Sequence, residues 1–242
     1  MIALQSLNLA GLPVLHAFPE GKSETPLPCV VFYHGFTSSG LVYSYFAVAL
    51  AQSGFRVIMP DAPDHGARFS GDAQSRLQRF WHILQQSQDE FASLRDALMM
   101  QGWVAEGRLA VAGASMGGMT ALGILARHPE VRCVASLMGS GYFSSLSHRL
   151  FPPSVGEHKA MQALLADVEP SRQLTRLADR PLLLWHGEED DVVPAAESFR
   201  LQQALRQAGL DANLTCEWQA GVRHRITPEA LSCAVNFLRQ HL

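Results

Sequence analysis

Short apolar runs alternate with amphipathic stretches along most of this chain. Apolar runs of strand length, bounded by turn residues, predict strands at 4–9, 14–18, 29–33, 55–59, 109–112, 131–138, 181–185 and 214–218. Helical spacing predicts helices over 41–52, 73–100, 119–128, 158–168, 195–208 and 228–241. In the longest of these, Leu77, Phe80, Trp81, Leu84, Phe91, Leu94 and Leu98 recur at helical intervals. Ser53-Gly54 ends the first helix, Pro60 stops the fourth strand, and 19–28 and 61–71 read as loops. Strand and helix alternate, which predicts an α/β fold: a mostly parallel eight-stranded sheet flanked by helices, as one domain over 1–242. The rhythm breaks over 139–178, where Pro152-Pro153 and several aromatics interrupt it. That segment reads as a small lid-like insertion over the carboxyl ends of the strands, where open α/β sheets bind ligands.

Composition narrows the class. Of 242 residues, 48% are hydrophobic and 17% charged, enough to build a core and too apolar for disorder. Net charge is −3 and the only lysines are Lys22 and Lys159, so no basic patch points to nucleic acid or to an anionic membrane. The N-terminus lacks the basic start of a secretory signal, and no apolar run is long enough to span a bilayer. Cys29, Cys133, Cys216 and Cys233 show no metal spacing and read as reduced thiols. A cytoplasmic protein is expected, with oligomeric state left open. No Gly-x-Gly-x-x-Gly follows an early strand, so no dinucleotide cofactor is expected. Asp61, Asp64 and His65 lie close in one loop but lack a second ligand set, so they read as a structural loop near the site mouth, with no metal.

The candidate chemistry centres on Gly113-Ala114-Ser115-Met116-Gly117, between an apolar run and a helical segment. Gly-x-Ser-x-Gly in that setting is the pattern of a nucleophile elbow, a strained turn that needs small neighbours. The alternative is a Gly/Ser turn with Ser115 as helix N-cap. A serine hydroxyl needs a base and usually a carboxylate to orient it. After such an elbow the acid and then the histidine follow in chain order. Only His224 and His241 come late enough, and His241 sits on a terminal helix, so His224 is the expected base. The acid belongs after the strand 181–185, where Glu188, Glu189, Asp190 and Asp191 stand in a row; spacing favours Asp190 weakly. Two backbone N–H groups should form an oxyanion hole: Met116, at a helix N-terminus, and Phe36 in His34-Gly35-Phe36-Thr37-Ser38, supported by Thr37. His34 precedes the nucleophile and is expected to hold its loop backbone. Phe36, Phe69, Tyr142, Phe143 and Phe151 could line an acyl pocket or fill core; Tyr142 and Phe143, which begin the insertion, are the preferred substrate-binding candidates.

Together these segments resemble the α/β-hydrolase superfamily, in its dienelactone-hydrolase and prolyl-oligopeptidase-like branch. The resemblance rests on His34-Gly35-Phe36, Asp61–Gly66, Gly113–Gly117, His186-Gly187-x-x-Asp190 through Val193-Pro194, and Gly221-x-x-His224, and covers nearly the whole chain. It implies the α/β-hydrolase fold and supports Asp190 over its neighbour. Dienelactone hydrolase itself uses a cysteine where Ser115 stands here, which implies ester hydrolysis instead of that reaction. The expected activity is a cofactor-free serine carboxylesterase, with a small-molecule ester substrate. The alternatives are an acyl thioesterase or small-peptide hydrolase on the same triad, or a non-catalytic binding protein on the same fold.

Overall fold

The computed structural model describes residues 1–154 and 156–242. Among these, eight strands form one sheet: β1 (Ile2–Leu9), β2 (Leu12–Pro19), β3 (Leu27–Tyr33), β4 (Arg56–Pro60), β5 (Val104–Ala114), β6 (Val134–Leu137), β7 (Leu182–Gly187) and β8 (Leu214–Gln219). Their order is β1-β2-β4-β3-β5-β6-β7-β8. The β1–β2 pair and the β2–β4 pair are antiparallel; every pair from β4 to β8 is parallel. Ala10 and Gly11 join β1 to β2 with φ of 54° and 79°, the backbone sign of the tight turns whose twist matches paired strands.

The central strands are apolar on both faces because helices cover both. On β3, Val31 and Tyr33 face one core with Val111, Phe91, Leu94 and Leu122. Val30 and Phe32 face the other, with Phe46, Leu50, Trp185 and Leu238. The helices in chain order are α1 (Ser44–Gln52), α2 (Ala73–Gln78), α3 (Phe80–Asp89), α4 (Phe91–Met100), α5 (Met116–Arg127), α6 (Phe143–Leu146), α7 (His158–Val168), α8 (Leu174–Ala178), α9 (Ala196–Gln207) and α10 (Pro228–His241). Among the described residues no helix is long and apolar enough to cross a membrane.

The single helix expected over 73–100 is three helices, α2, α3 and α4, broken at Arg79 and Glu90. The packing gives the reason. Phe80, Trp81, Ile83 and Leu84 of α3 turn toward a third core with Met116, Met119, Phe143 and Leu165. Phe91, Leu94 and Leu98 of α4 turn to the sheet. A straight helix could not serve both. Neither break carries Gly or Pro, so the apolar spacing ran through them unmarked.

Residues 139–178 lie between β6 and β7 and hold α6, α7, a 3₁₀ turn (Pro170–Arg172) and α8. They are pinned to α3 by the indole of Trp81, whose N–H donates to the carbonyls of Leu150 at 3.2 Å and Phe151 at 3.1 Å.

Candidate active site

Ser115 stands on the turn between β5 and α5 with φ 58° and ψ −119°, a left-handed conformation that costs a non-glycine residue roughly 1–3 kcal/mol. The surrounding glycines make the turn sterically feasible. A Cβ on Gly117 would strike the Tyr33 carbonyl, and one on Gly113 would strike the Gly117 backbone. The Ser115 N–H donates to the Leu137 carbonyl at 2.8 Å, tying the turn to β6. Ser115 occupies the N-cap position of α5, but its side chain makes no capping bond.

The hydroxyl instead meets the imidazole of His224, Oγ to Nε2 2.9 Å. His224 Nδ1 meets Oδ2 of Asp190 at 2.6 Å. The loops carrying these two residues are laced together: Glu188 N–H donates to the Gln219 carbonyl at 2.9 Å and Glu189 N–H to the Val222 carbonyl at 3.0 Å. Gly187 permits that approach, since a Cβ there would meet the Val222 carbonyl.

The acid turn separates its four carboxylates. Asp190 is buried, and its Oδ1 accepts from the Val192 and Val193 N–H groups, each at 2.9 Å. Burial alone would push its carboxyl up; hydrogen bonds from His186, His224 and the Val192 backbone outweigh it and hold the group well below the usual carboxylate range. Asp191 points outward and pairs with Arg223. Glu188 and Glu189 are exposed. The His241 ring lies tilted against Phe237 within α10, ring centres 4.7 Å apart.

Among the hydrogen bonds of the described residues, the backbone N–H groups of Phe36 and Met116 have no partner. The loop carrying Phe36 runs beside the elbow, so close that a Cβ on Gly35 would lie 3.6 Å from that of Ser115. Two histidines fix this loop. His34 donates from Nδ1 to the Gly35 carbonyl at 2.7 Å and accepts at Nε2 from the Ala62 N–H at 3.0 Å. His65 donates from Nδ1 to the Pro63 carbonyl at 2.8 Å and accepts at Nε2 from the Thr37 N–H at 2.9 Å. Those bonds need neutral imidazoles, and burial favours that form: it pushes His34 down to about 4 and lowers His65 as well. The Thr37 N–H is therefore committed to His65. Asp61 spends its oxygens on the Gly40 and Ala67 N–H groups, both at 2.9 Å, and Asp64 accepts from Ser70 N–H at 2.8 Å. Among the described residues no group of three or more His, Cys, Asp or Glu is arranged to hold a metal ion.

The aromatics divide by position. Phe143 has no exposed surface and packs in the third core near Trp81. Tyr142 is buried against the sheet-side core, with the Arg200 guanidinium 3.8 Å from its ring centre. Phe69 is exposed beneath Arg76. Phe36, Phe80 and Phe151 form a cluster, with ring centres 4.6–5.0 Å apart. Phe80 was indistinguishable in the sequence from any apolar residue of an amphipathic helix. An open groove of about 560 Å³ between β8 and α10, lined by Glu217, Cys233 and Phe237 among others, contains none of Ser115, Asp190 or His224.

A mostly parallel eight-stranded sheet with a strained serine between its fifth strand and the following helix defines an α/β hydrolase. The chain belongs to the prolyl oligopeptidase family, which matches residues 43–242. Over 249 aligned residues it is 66% identical to Esterase YjfP of Escherichia coli (strain K12), covering 100% of both chains. The crystal structure of TT1662 from Thermus thermophilus superposes with a TM-score of 0.82 at 24% identity, covering 99% of this chain and 98% of that one. A puromycin-hydrolyzing peptidase of Mycobacterium tuberculosis shares the fold, with a TM-score of 0.73 at 23% identity, over 98% of this chain and 40% of that one.

Proposed function

We propose that this protein is a serine carboxylesterase that hydrolyses small, short-chain acyl esters through an acyl-enzyme. One observation carries the reading: an unbroken hydrogen-bonded line from Ser115 Oγ through His224 to buried Asp190. Its similarity to an esterase over the full length supports the same activity.

In the proposed reaction His224 Nε2 takes the Ser115 proton as Oγ attacks the ester carbonyl. The N–H groups of Phe36 and Met116 receive the oxyanion; both lack a competing partner among the described residues, and Met116 adds the positive end of α5. Protonated His224 then gives its proton to the departing alcohol. A water, deprotonated by His224, releases the acid and restores Ser115. Asp190, held ionised by its hydrogen bonds, fixes the imidazole tautomer and balances its charge. Residues 139–178 act as a small lid whose Phe151, stacked on Phe80 and edge-on to Phe36, bounds the acyl group. Phe143 supports that wall from the same core, being buried.

The test is turnover of p-nitrophenyl esters from acetate to palmitate by wild type and Ser115→Ala. Serine-dependent turnover biased to short chains is expected, with the variant slowed about a thousand-fold or more. Undiminished turnover by a folded Ser115→Ala protein would overturn the mechanism. Phe151→Ala should move the chain-length optimum upward by a few carbons while leaving acetate turnover within about threefold. An unchanged profile would remove Phe151 from the acyl site.

A further inference from the structure

Asp190 has a second histidine. His186, the fifth residue of β7, is fully buried, and its Nε2 lies 3.2 Å from Asp190 Oδ2 and 2.8 Å from the Val193 carbonyl. Both neighbours are acceptors, so Nε2 carries the hydrogen; it donates to the Val193 carbonyl and lies beside the Asp190 carboxylate. The other nitrogen, Nδ1, is hydrogen-bonded to Ser198 Oγ at 2.8 Å. Ser198 Oγ also lies 3.3 Å from the Gly139 carbonyl. Oδ2 of Asp190 thus accepts from His224 and has the polarised N–H of His186 beside it, while Oδ1 is filled by two backbone N–H groups.

We propose that His186 is a positioning residue for the triad acid, locked by Ser198, and that it sets how much of the Asp190 charge reaches His224. This rests on the reading of Ser115, His224 and Asp190 as a catalytic triad. The argument is one of competition at a single oxygen. A carboxylate with a second imidazole N–H 3.2 Å from Oδ2 is a weaker acceptor for His224, because that N–H dipole stabilises the charge where it sits. His186 also prevents the carboxylate from rotating about its Cβ–Cγ bond, since such a turn would break the bonds at both oxygens. Ser198 keeps the imidazole in plane by occupying its far nitrogen.

The same side chains reach the root of the inserted segment. Ser198 contacts Gly139, and the neighbouring Ser140 donates to Glu197 at 2.7 Å. The first two residues of 139–178 are therefore anchored on the same end of α9 that holds His186. A displacement of that root would act on Asp190 through Ser198 and His186.

Charged groups around this post are already paired or turned outward. Asp191 faces Arg223, Glu197 is taken by Ser140, and Glu188 and Glu189 are exposed. The groups sharing the buried path with Asp190 are His186 and His224.

The experiment measures kcat and kcat/KM against pH for His186→Leu, His186→Gln and Ser198→Ala, with circular dichroism to check folding. The Leu variant should lose about tenfold in kcat. Without its second donor, Asp190 stabilises the His224 imidazolium more strongly. Activity needs the neutral imidazole, so the acidic limb of the kcat/KM profile should move to higher pH, by about half a unit to one unit. His186→Gln can place an amide N–H near the original Nε2 and should restore most of both. Ser198→Ala should shift the limb in the same direction by less. A folded Leu variant with the wild-type pH profile would overturn the proposal, as would Leu and Gln variants equally slowed with no shift in the limb. Where His186→Leu fails to fold, an unshifted limb in Ser198→Ala overturns it. Loss of the underlying triad reading would show separately, as Ser115-independent turnover.

Discussion

The two ends of the sheet each pair a buried charged side chain with a histidine, and they use the pair in opposite ways. At the amino ends of the parallel strands, Arg56 begins β4 with no exposed surface. One guanidinium nitrogen meets His16 Nε2 at 2.6 Å; another donates to the carbonyls of Lys22, Ser23 and Thr25 at 2.7–3.0 Å. The cation lies 4.7 Å from the Trp103 ring centre and 5.3 Å from that of Phe18. At the carboxyl ends, Asp190 is equally buried, but the line of hydrogen bonds runs outward through a partly exposed His224 to Ser115. The first network holds a loop, and among the described residues the His16 imidazole is hydrogen-bonded to Gln5 and Arg56, neither of them a nucleophile. In the proposed mechanism the second has an end that faces a substrate. A buried charge is common to both, so burial alone does not mark a reactive site; a nucleophile at the open end does.

The largest effect should come from Asp190→Asn, which keeps the shape of the acid turn but removes the charge. Expected is a kcat loss of about 10³–10⁴ with the fold retained, measured by steady-state kinetics beside circular dichroism. If activity stayed within a factor of ten, the carboxyl-end network would be as structural as its counterpart. Next, Arg56→Met should cost about 3 kcal/mol in urea unfolding, through the loss of the cation that satisfies three loop carbonyls and His16, while kcat of the folded protein holds. A fall in kcat with unchanged stability would break the comparison from the other side.

The smallest effect is in the pH dependence of stability. Burial, with Arg56 adding to it, pushes His16 down to about 4, and burial pushes His34 to about 4 against a backbone bond that opposes it. The unfolded chain takes up these protons near pH 6.5, so the stabilisation is complete above that value and is lost as pH falls toward 4. Each histidine should cost about 1 kcal/mol by pH 5.5, read from urea midpoints at pH 7.5 and 5.5. His16→Gln should remove its share of this slope without altering the pH profile of turnover. A slope unchanged in that variant would place the proton uptake elsewhere.

Much of this arrangement was legible in the sequence because its constraints are local. The Gly113–Gly117 turn announces itself, since only small residues fit against Tyr33 and each other. The parallel strands read as apolar runs because both faces are covered, and α7 and α10 begin and end where their spacing predicts. What stayed hidden was decided by packing between distant segments. The breaks at Arg79 and Glu90 arise because two cores compete for one stretch of helix. Tyr142 and Phe143 are adjacent in sequence but face different cores, and no periodicity reveals that. His186 could be read as part of the acid turn, but its bond to Asp190 depends on Ser198 from the next helix.

The order in which the three residues enter the chain has a consequence for synthesis. Ser115 emerges from the ribosome with its strand and helix, Asp190 follows 75 residues later, and His224 another 34 after that, on the loop before α10. A growing chain therefore carries its serine without a base for roughly half its length. In the proposed mechanism the nucleophile is switched on late, by the folding of β8 and the loop behind it, so turnover would also report that the carboxyl-terminal part of the sheet has closed.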